Sequence, residues 1–225
     1  MPKASILEFS DAHADPKIRG FLHVPEMPNQ DGLVLTHGAG GNAQAPLLRA
    51  LADTFSANGF TVLRCDLPFR QVRSFGPPGP GDAARDRVGL KNAVAHMRKM
   101  ATGRIFLSGH SYGGRQASML CAEEPELAEG LLLLSYPLHP PRRPEQQRTQ
   151  HLPDLRTPTL FVHGTRDPFG SIEELERAIR MIPEKTKLVG IEGAGHDLGF
   201  KGKARTEELP KRVFSEFVKF LEVSS

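Results

Sequence analysis

The amino-acid sequence predicts an α/β fold, with a doubly wound, mostly parallel sheet of about seven or eight strands and helices on both faces. Two observations carry this prediction. From residue 32 onward, strand-like and helix-like segments alternate along the chain. The segments at residues 131–135 and 159–162 are almost continuously apolar, which is typical of strands that are covered on both faces. Such an alternation favours parallel strands joined by helical crossovers.

The N-terminal part of the chain predicts the edge of the sheet. Residues 6–9 and 18–24 are strand-like, and we expect them to form its antiparallel edge. Residues 44–58 carry apolar side chains at helical spacing, and Gly59 is placed to end that helix. The other elements predicted in this part are strands at residues 32–36 and 60–64.

The rest of the chain continues the alternation. Asp82 is placed to cap a long helix to residue 100, whose buried face would use Val88, Ala93, Val94 and Met97. The remaining predicted elements are strands at residues 105–108, 131–135, 159–162 and 187–191, and helices at residues 115–123, 173–181 and 207–222.

Size, charge and cysteine content favour one soluble domain over residues 1–225. The 29 Lys and Arg residues exceed the 26 Asp and Glu residues by only three and are spread along the chain, which does not favour nucleic-acid binding. No apolar stretch is long enough to predict a membrane span. Cys65 and Cys121 lie in apolar segments and suit buried thiols in a reducing compartment, with a disulfide as the alternative. We expect a cytoplasmic protein, either a monomer or a homodimer.

The pentapeptide Gly-His-Ser-Tyr-Gly at residues 109–113 is the most informative motif. It directly follows the apolar residues 105–107 and precedes a predicted helix. A serine on such a sharp strand-to-helix turn projects its hydroxyl from the sheet, and glycines on either side remove a clash of Cβ atoms. The placement indicates that Ser111 is a nucleophile.

A serine nucleophile needs a histidine to take its proton and usually a carboxylate to orient that histidine. Asp167 and His196 each follow a predicted strand, in the chain order serine, acid, histidine. Asp154 and Glu192 are the competing acids, but they precede the turns that carry Asp167 and His196. Since ligands bind at the carboxyl ends of parallel strands, we expect Ser111, Asp167 and His196 to meet there.

A tetrahedral intermediate also needs donors for its oxyanion, typically two backbone N–H groups. Tyr112, the residue after the nucleophile, is expected to supply one. The glycine-rich loop at residues 36–42 follows an early strand and is expected to supply the other, from Ala39 or Gly40, with Ala39 preferred. No lysine followed by serine or threonine comes after these glycines, so the loop does not predict a phosphate site. The sequence indicates neither a metal cluster nor a cofactor.

Through the pentapeptide, Asp167, His196 and the glycine-rich loop, the chain resembles the α/β-hydrolase superfamily over nearly its whole length. The resemblance implies the α/β-hydrolase fold. More narrowly, the chain is similar to the hydrolase-like proteins related to testis-expressed protein 30 and to the hydrolase-like region of the KAT8 regulatory NSL complex subunit 3. The matching segments are residues 36–42, the pentapeptide with Arg115, and residues 135–140. Dienelactone hydrolases are less similar, since they carry Cys where this chain has Ser111. The resemblance implies a fold more strongly than a reaction.

Several side chains are candidates for contact with the substrate. Arg70 and Arg73 follow a predicted strand and could form a clamp for a carboxylate, or else pair with acidic residues of the same rim. His139 lies in the loop at about residues 137–155, where hydrolases of this architecture usually insert a lid. We expect Arg115 to make a structural hydrogen bond to a neighbouring loop.

Together these features predict a serine hydrolase that cleaves a small ester, thioester or amide through an acyl-enzyme. The short loop at residues 137–155 predicts a minimal lid and an open site for a small-molecule substrate. The alternative is a non-catalytic interaction module that retains the fold. Cofactor-free peroxidase chemistry with the same three residues is a third possibility.

Overall fold

A computed structural model describes residues 4–200 and 208–222. The strands in this part of the chain are β1 (Ser5–Asp11), β2 (Ile18–Val24), β3 (Gly32–Thr36), β4 (Thr61–Cys65), β5 (Ile105–His110), β6 (Gly130–Leu134), β7 (Thr159–Gly164) and β8 (Thr186–Ile191). The helices are α1 (Pro46–Ala57), α2 (Pro68–Val72), α3 (Asp82–Met100), α4 (Tyr112–Glu123), α5 (Ile172–Ile179) and α6 (Glu208–Glu222), with a 3-10 turn at Leu152–Asp154.

The strands form one sheet in the order β1-β2-β4-β3-β5-β6-β7-β8. β1 pairs antiparallel with β2 and β2 with β4, whereas all the other pairs are parallel. The predicted antiparallel edge and the mostly parallel sheet are therefore confirmed.

Each face of the sheet is covered by its own hydrophobic core. Buried side chains of α3, α4 and α5, among them Val94, Leu120 and Leu175, belong to the core on one face. The other core contains residues of α1 and α6, including Phe55 and Phe217. The strands between them are fully buried in the middle of the sheet, as their apolar runs require. This arrangement confirms the doubly wound prediction.

The path of the chain places a crevice between β3 and β5. From β3 the chain moves to β4 on one side and then returns to β5 on the other, and both pair with β3 in parallel. The loops after β3 and β5 therefore diverge at the carboxyl edge of the sheet, which is where ligands bind in open α/β sheets. Ser111 directly follows β5 at this edge.

The long helix α3 departs from the sequence prediction in two details. Its N-cap is Gly81, in the left-handed conformation at φ 86°, and Asp82 is the first helical residue. The Asp82 carboxylate instead accepts hydrogen bonds from Gly79 N–H and Arg73. Val88 is 45% exposed, so its assignment to the buried face was wrong, while Ala93, Val94 and Met97 are buried as expected. Helical spacing alone does not define how far the apolar face extends.

Two further features bear on the predictions about environment. Cys65 and Cys121 are both free and buried, and burial raises the pKa of each thiol to about 12. Among residues 4–200 and 208–222, no helix has the length and apolar character needed to cross a membrane.

Candidate active site

The turn between β5 and α4 holds Ser111 in a strained backbone conformation. Its φ is 52° and its ψ is −118°, which a residue with a Cβ rarely adopts. The neighbouring glycines are required by close packing: a Cβ on Gly109 would lie 2.5 Å from the backbone of Gly113 and Gly114, and one on Gly113 would overlap His37 O. The steric reason predicted for both glycines is thus present in the structure.

Ser111, His196 and Asp167 form one hydrogen-bonded chain. The distance from Ser111 Oγ to His196 Nε2 is 2.7 Å, and the distance from His196 Nδ1 to Asp167 Oδ2 is 2.8 Å. Because the carboxylate accepts a hydrogen bond from Nδ1–H, the proton of the neutral imidazole stays on Nδ1 and Nε2 is left to accept the hydrogen bond of the serine hydroxyl. The three residues come from the turns after β5, β7 and β8, so parallel strands bring them to one edge.

Asp167 and His196 are each held by further contacts. The Asp167 side chain is fully buried, and its second oxygen accepts a 2.9 Å hydrogen bond from Phe169 N–H. The Phe169 ring stacks on the His196 imidazole, with 4.2 Å between ring centroids. These contacts limit the rotation of both side chains and so favour the geometry in which the hydrogen bonds form.

His110, inside the pentapeptide, supports the loop that carries His196. Its Nε2 lies 2.8 Å from the backbone oxygen of His196 and donates to it. Burial lowers the pKa of His110 to about 4, so the imidazole is neutral near pH 7. This hydrogen bond links the serine turn directly to the histidine loop.

The backbone N–H groups of Tyr112, Ala39 and Gly40, near Ser111, have no acceptor among the described residues. The loop at residues 36–42 lies against Ser111, since a Cβ on Gly38 would be 3.2 Å from Ser111 Cβ. Gly38 O accepts hydrogen bonds from Gly41 N–H at 3.0 Å and from His37 Nδ1 at 2.8 Å. These bonds set the plane of the Gly38–Ala39 peptide and direct Ala39 N–H to the opposite side.

The tautomer of His37 follows from its two partners. Its Nε2 accepts a hydrogen bond from Leu67 N–H at 3.1 Å, so the proton must be on Nδ1, which donates to Gly38 O. Burial lowers the pKa of His37, which keeps the ring neutral. His37 therefore joins the loop after β3 to the loop after β4.

Arg70 is buried, and its guanidinium binds backbone oxygens, including two of the glycine-rich loop at residues 36–42. Its guanidinium donates to four backbone oxygens, at 2.7 Å to Ala39, 2.8 Å to Gly41, 2.8 Å to Gly76 and 3.1 Å to Arg73. Arg73 pairs with Asp82. The sequence left two alternatives for Arg70 and Arg73: a clamp for a substrate carboxylate, or ion pairs with acidic residues of the rim. Arg73 forms such an ion pair, and Arg70 does neither.

His139 also lies outside the cavity next to Ser111. Its Nδ1 lies 2.8 Å from Pro140 O, and its Nε2 lies 3.3 Å from Glu174 Oε2 at the start of α5. The structure thus brings Ser111, Asp167, His196, Tyr112, Ala39 and Gly40 together, whereas Arg70, Arg73 and His139 are not among the residues that line the cavity over Ser111. The direction of a loop side chain depends on distant partners, which sequence spacing does not encode.

A cavity of about 940 Å³ opens over Ser111. Much of its wall is apolar, from Leu47, Leu48, Pro137, Phe169 and other side chains. Sequence reasoning did not place Arg115 or Arg148 at this cavity. The structural hydrogen bond expected of the Arg115 side chain is not formed with any residue that the structure describes, and its buried Nε has no partner. Within the described part of the chain, no group of three His, Cys, Asp or Glu side chains could hold a metal ion.

The sheet and the serine turn define the α/β-hydrolase fold. Over residues 29–222 the chain matches the family described as "Alpha/beta hydrolase domain", and it belongs to that family. The narrower similarity to testis-expressed protein 30 and its relatives stays a prediction.

Solved structures share the fold at low sequence identity. An α/β serine hydrolase homologue from Coxiella burnetii is 17% identical with a TM-score of 0.73, covering 94% of this chain and 96% of the other. A dienelactone hydrolase from Anabaena variabilis is 22% identical with a TM-score of 0.71, covering 95% and 96%. An α/β serine hydrolase without lid from Xanthomonas campestris is 16% identical with a TM-score of 0.70, covering 94% and 92%.

Curated relatives match only parts of the chain. A putative esterase/lipase from Haemophilus influenzae is 28% identical over 51% of this chain and 37% of its own length. Polyketide synthase ThaQ from Burkholderia thailandensis is 48% identical over 48 residues, 21% of this chain and 2% of its own length. The chain therefore matches well under half of the length of either relative.

Proposed function

We propose that this protein is a serine hydrolase that cleaves a small ester, thioester or amide through Ser111, His196 and Asp167. The observation that carries the proposal is the hydrogen-bonded chain of these residues, at 2.7 Å and 2.8 Å, on a strained turn. A serine, a histidine and a carboxylate in this order of contact are the groups that activate a hydroxyl for acyl transfer.

The proposed reaction has two halves. His196 Nε2 takes the proton of Ser111 Oγ while the oxygen attacks the substrate carbonyl, and the imidazolium then gives this proton to the leaving group. Water, deprotonated by the same nitrogen, hydrolyses the acyl-enzyme and returns Ser111 to its hydroxyl form. Asp167 stays ionised throughout and holds the tautomer of His196 in which Nε2 is the base.

The oxyanion is proposed to accept hydrogen bonds from Tyr112 N–H and from Ala39 N–H, with Gly40 N–H as the alternative to Ala39. All three donors lack an acceptor among the described residues. Ala39 is preferred because the two hydrogen bonds on Gly38 O set the peptide plane that carries its N–H. Preorganised donors of this kind stabilise the charge that develops on the carbonyl oxygen.

The proposal also covers the lid of the site and the organisation and location of the protein. The loop at residues 137–155 is anchored by Leu138, Leu152 and Leu155, which are fully buried, so we propose that it acts as a wall of the cavity and a minimal lid. We also propose that the chain acts as one domain in the cytoplasm.

A fluorophosphonate probe tests the proposal directly, because it phosphonylates only an activated serine. We expect the wild type to be labelled and Ser111→Ala to be unlabelled, with Ser118→Ala as a labelled control from the same helix. Labelling that survives Ser111→Ala would overturn the assignment of the nucleophile. An unlabelled wild type would favour the non-catalytic module, and a panel of short acyl esters, thioesters and amides would identify the substrate class of a labelled one.

A further inference from the structure

Two arginines line the cavity over Ser111 and lack a carboxylate partner. Arg115 lies on α4, one helical turn after the nucleophile, and its N–H donates to Ser111 O. Arg148 comes from the loop at residues 137–155. Neither forms an ion pair with an acidic residue that the structure describes, whereas Arg87 and Arg98, on α3, pair with Glu123 and Glu129.

Arg115 has an unused donor at a buried position. Its Nε is inaccessible to solvent and has no hydrogen-bond partner. A guanidinium offers donors in a rigid planar fork, and nearly all buried donors in proteins find an acceptor. Arg70 shows this, since its buried guanidinium donates to four backbone oxygens. Arg115 forms no side-chain hydrogen bond with the described residues, so the atoms of its guanidinium that line the cavity have donors left for an acceptor on a ligand.

Arg148 is held in place by its backbone and keeps most of its guanidinium free. Its N–H donates to Leu138 O and its carbonyl accepts from Tyr136 OH, both at 2.7 Å. The guanidinium makes one hydrogen bond, 3.3 Å from Nη1 to Pro137 O. Burial, and after it the positive charge of Arg115, lowers the pKa of Arg148. Two like charges thus face the cavity without a counter-ion between them.

The charges of the cavity wall are not balanced. Among the described residues that line it, Asp197 carries the one carboxylate, and its Oδ1 accepts the Gly199 N–H at 3.0 Å. Two guanidiniums and one carboxylate leave a net charge of about +1. A single ligand carboxylate would neutralise this charge and fit the planar fork of an arginine.

We propose that Arg115 and Arg148 bind a carboxylate of the substrate, so that the protein hydrolyses monoesters, monothioesters or monoamides of dicarboxylic acids. The proposal rests on the proposed function and adds the substrate class to it. Arg115 N–H donates to the backbone oxygen of Ser111, so the two residues are one turn apart and the substrate carboxylate belongs to the same small molecule as the carbonyl that Ser111 attacks. Glutaric and adipic half-esters carry a carboxylate and an ester in one short chain and are the substrates to test.

The first test compares two esters on the wild-type protein. The 4-nitrophenyl monoester of adipic acid has a free carboxylate, and its methyl-capped counterpart is neutral and nearly the same size. We expect kcat/KM to be about tenfold to a hundredfold higher for the acid, as for a charge-assisted hydrogen bond gained by the ligand. Equal values for the two esters would overturn the proposal, and faster turnover of a phosphate-ended analogue would overturn the assignment to a carboxylate.

Variants of the two arginines test whether they cause the preference for the acid over the neutral ester. In Arg115→Gln and in Arg148→Gln, we expect kcat/KM for the acid to fall about tenfold or more, so that the ratio of the acid to the neutral ester falls toward one. A thermal melt close to that of the wild type shows that each variant is folded. Arg98→Gln, which removes an exposed arginine of α3, is the matched control and should keep the preference. An equal loss on both esters in the two cavity variants would contradict the proposal.

Calorimetric titration with glutarate separates this proposal from the proposed function. We expect binding to the wild type and to Ser111→Ala, and weaker binding to Arg115→Gln and Arg148→Gln. Glutarate binding without ester turnover would support the carboxylate site and contradict the proposed hydrolase activity. Turnover of the neutral ester, with no glutarate binding and no preference for the acid, would support the hydrolase activity and contradict the carboxylate site.

Discussion

At the scale of residues, the site depends on side chains whose roles are separable by substitution. His196 contacts both Ser111 and Asp167, and the supporting contacts come from Phe169, His110 and Arg70. The supporting residues hold loops and rings in position, so their loss should affect geometry more than chemistry.

Asp167→Asn is expected to keep the fold and to lower kcat by about 10⁴-fold, by analogy with the triad of serine proteases. The amide can donate to Nδ1, which would leave the proton on Nε2 and block its action as a base. Ester hydrolysis measures the loss, and a thermal melt close to that of the wild type shows that the fold is intact. Wild-type activity in this variant would rule out Asp167 as the orienting acid.

Arg70→Met is expected to lower kcat with little change in KM and to destabilise the protein by about 2–4 kcal/mol, because buried backbone oxygens of the loop would lose a charged donor. Arg73→Met is the matched control. Arg73 is 43% exposed and pairs only at the surface, so its loss should cost about 1 kcal/mol or less. Urea unfolding and steady-state kinetics on both variants check this, and equal effects would contradict a positioning role for Arg70.

At the scale of elements, the junction between β5 and α4 decides where the nucleophile stands. Close packing of Gly109 on Gly113 and Gly114 allows the sharp turn, and the Tyr112 hydroxyl ties the start of α4 to Asp86 of α3 through a 2.7 Å hydrogen bond. The strain at Ser111 persists because these contacts surround it.

Gly109→Ala is expected to destabilise the protein by about 2–4 kcal/mol and to abolish most activity, since the new Cβ would sit 2.5 Å from backbone atoms that cannot move without opening the turn. Gly190→Ala in β8 is the control, because the nearest atom to its Cβ would be 3.6 Å away. Its effect should stay within about 1 kcal/mol. Similar denaturation midpoints for the two variants would contradict the steric argument.

At the scale of the whole molecule, buried histidines couple stability to pH. Burial is the largest cause that lowers the pKa of His23, His110 and His151, each to about 4 from the ordinary 6.5. Between these pH values the unfolded chain binds more protons than the folded one, so the free energy of unfolding rises with pH. Stability should therefore be nearly complete above pH 6.5 and fall by several kcal/mol as the pH falls toward 4.

His23→Gln tests this coupling at one site. His23 is fully buried, and its Nε2 accepts a 2.7 Å hydrogen bond from Arg64 Nε, which a glutamine oxygen can also accept. We expect a shallower loss of stability between pH 6.5 and 4, measured by urea unfolding at several pH values. His13→Gln, on an exposed turn, is the control and should follow the wild-type slope. A wild-type slope in His23→Gln would contradict the assignment.

The sequence by itself determined the order and type of the elements other than α2, the elbow around Ser111 and the chain order of Asp167 and His196. These features depend on local spacing and on the rule that parallel strands end at one edge, so short stretches of residues suffice to predict them. Only the tertiary structure decided which arginines face the cavity. Arg70 is turned away by backbone oxygens of a loop about 30 residues earlier in the chain, and Arg115 is joined there by Arg148 from a distant loop. The direction of a long side chain is set by acceptors that folding brings near it, and sequence spacing does not record them.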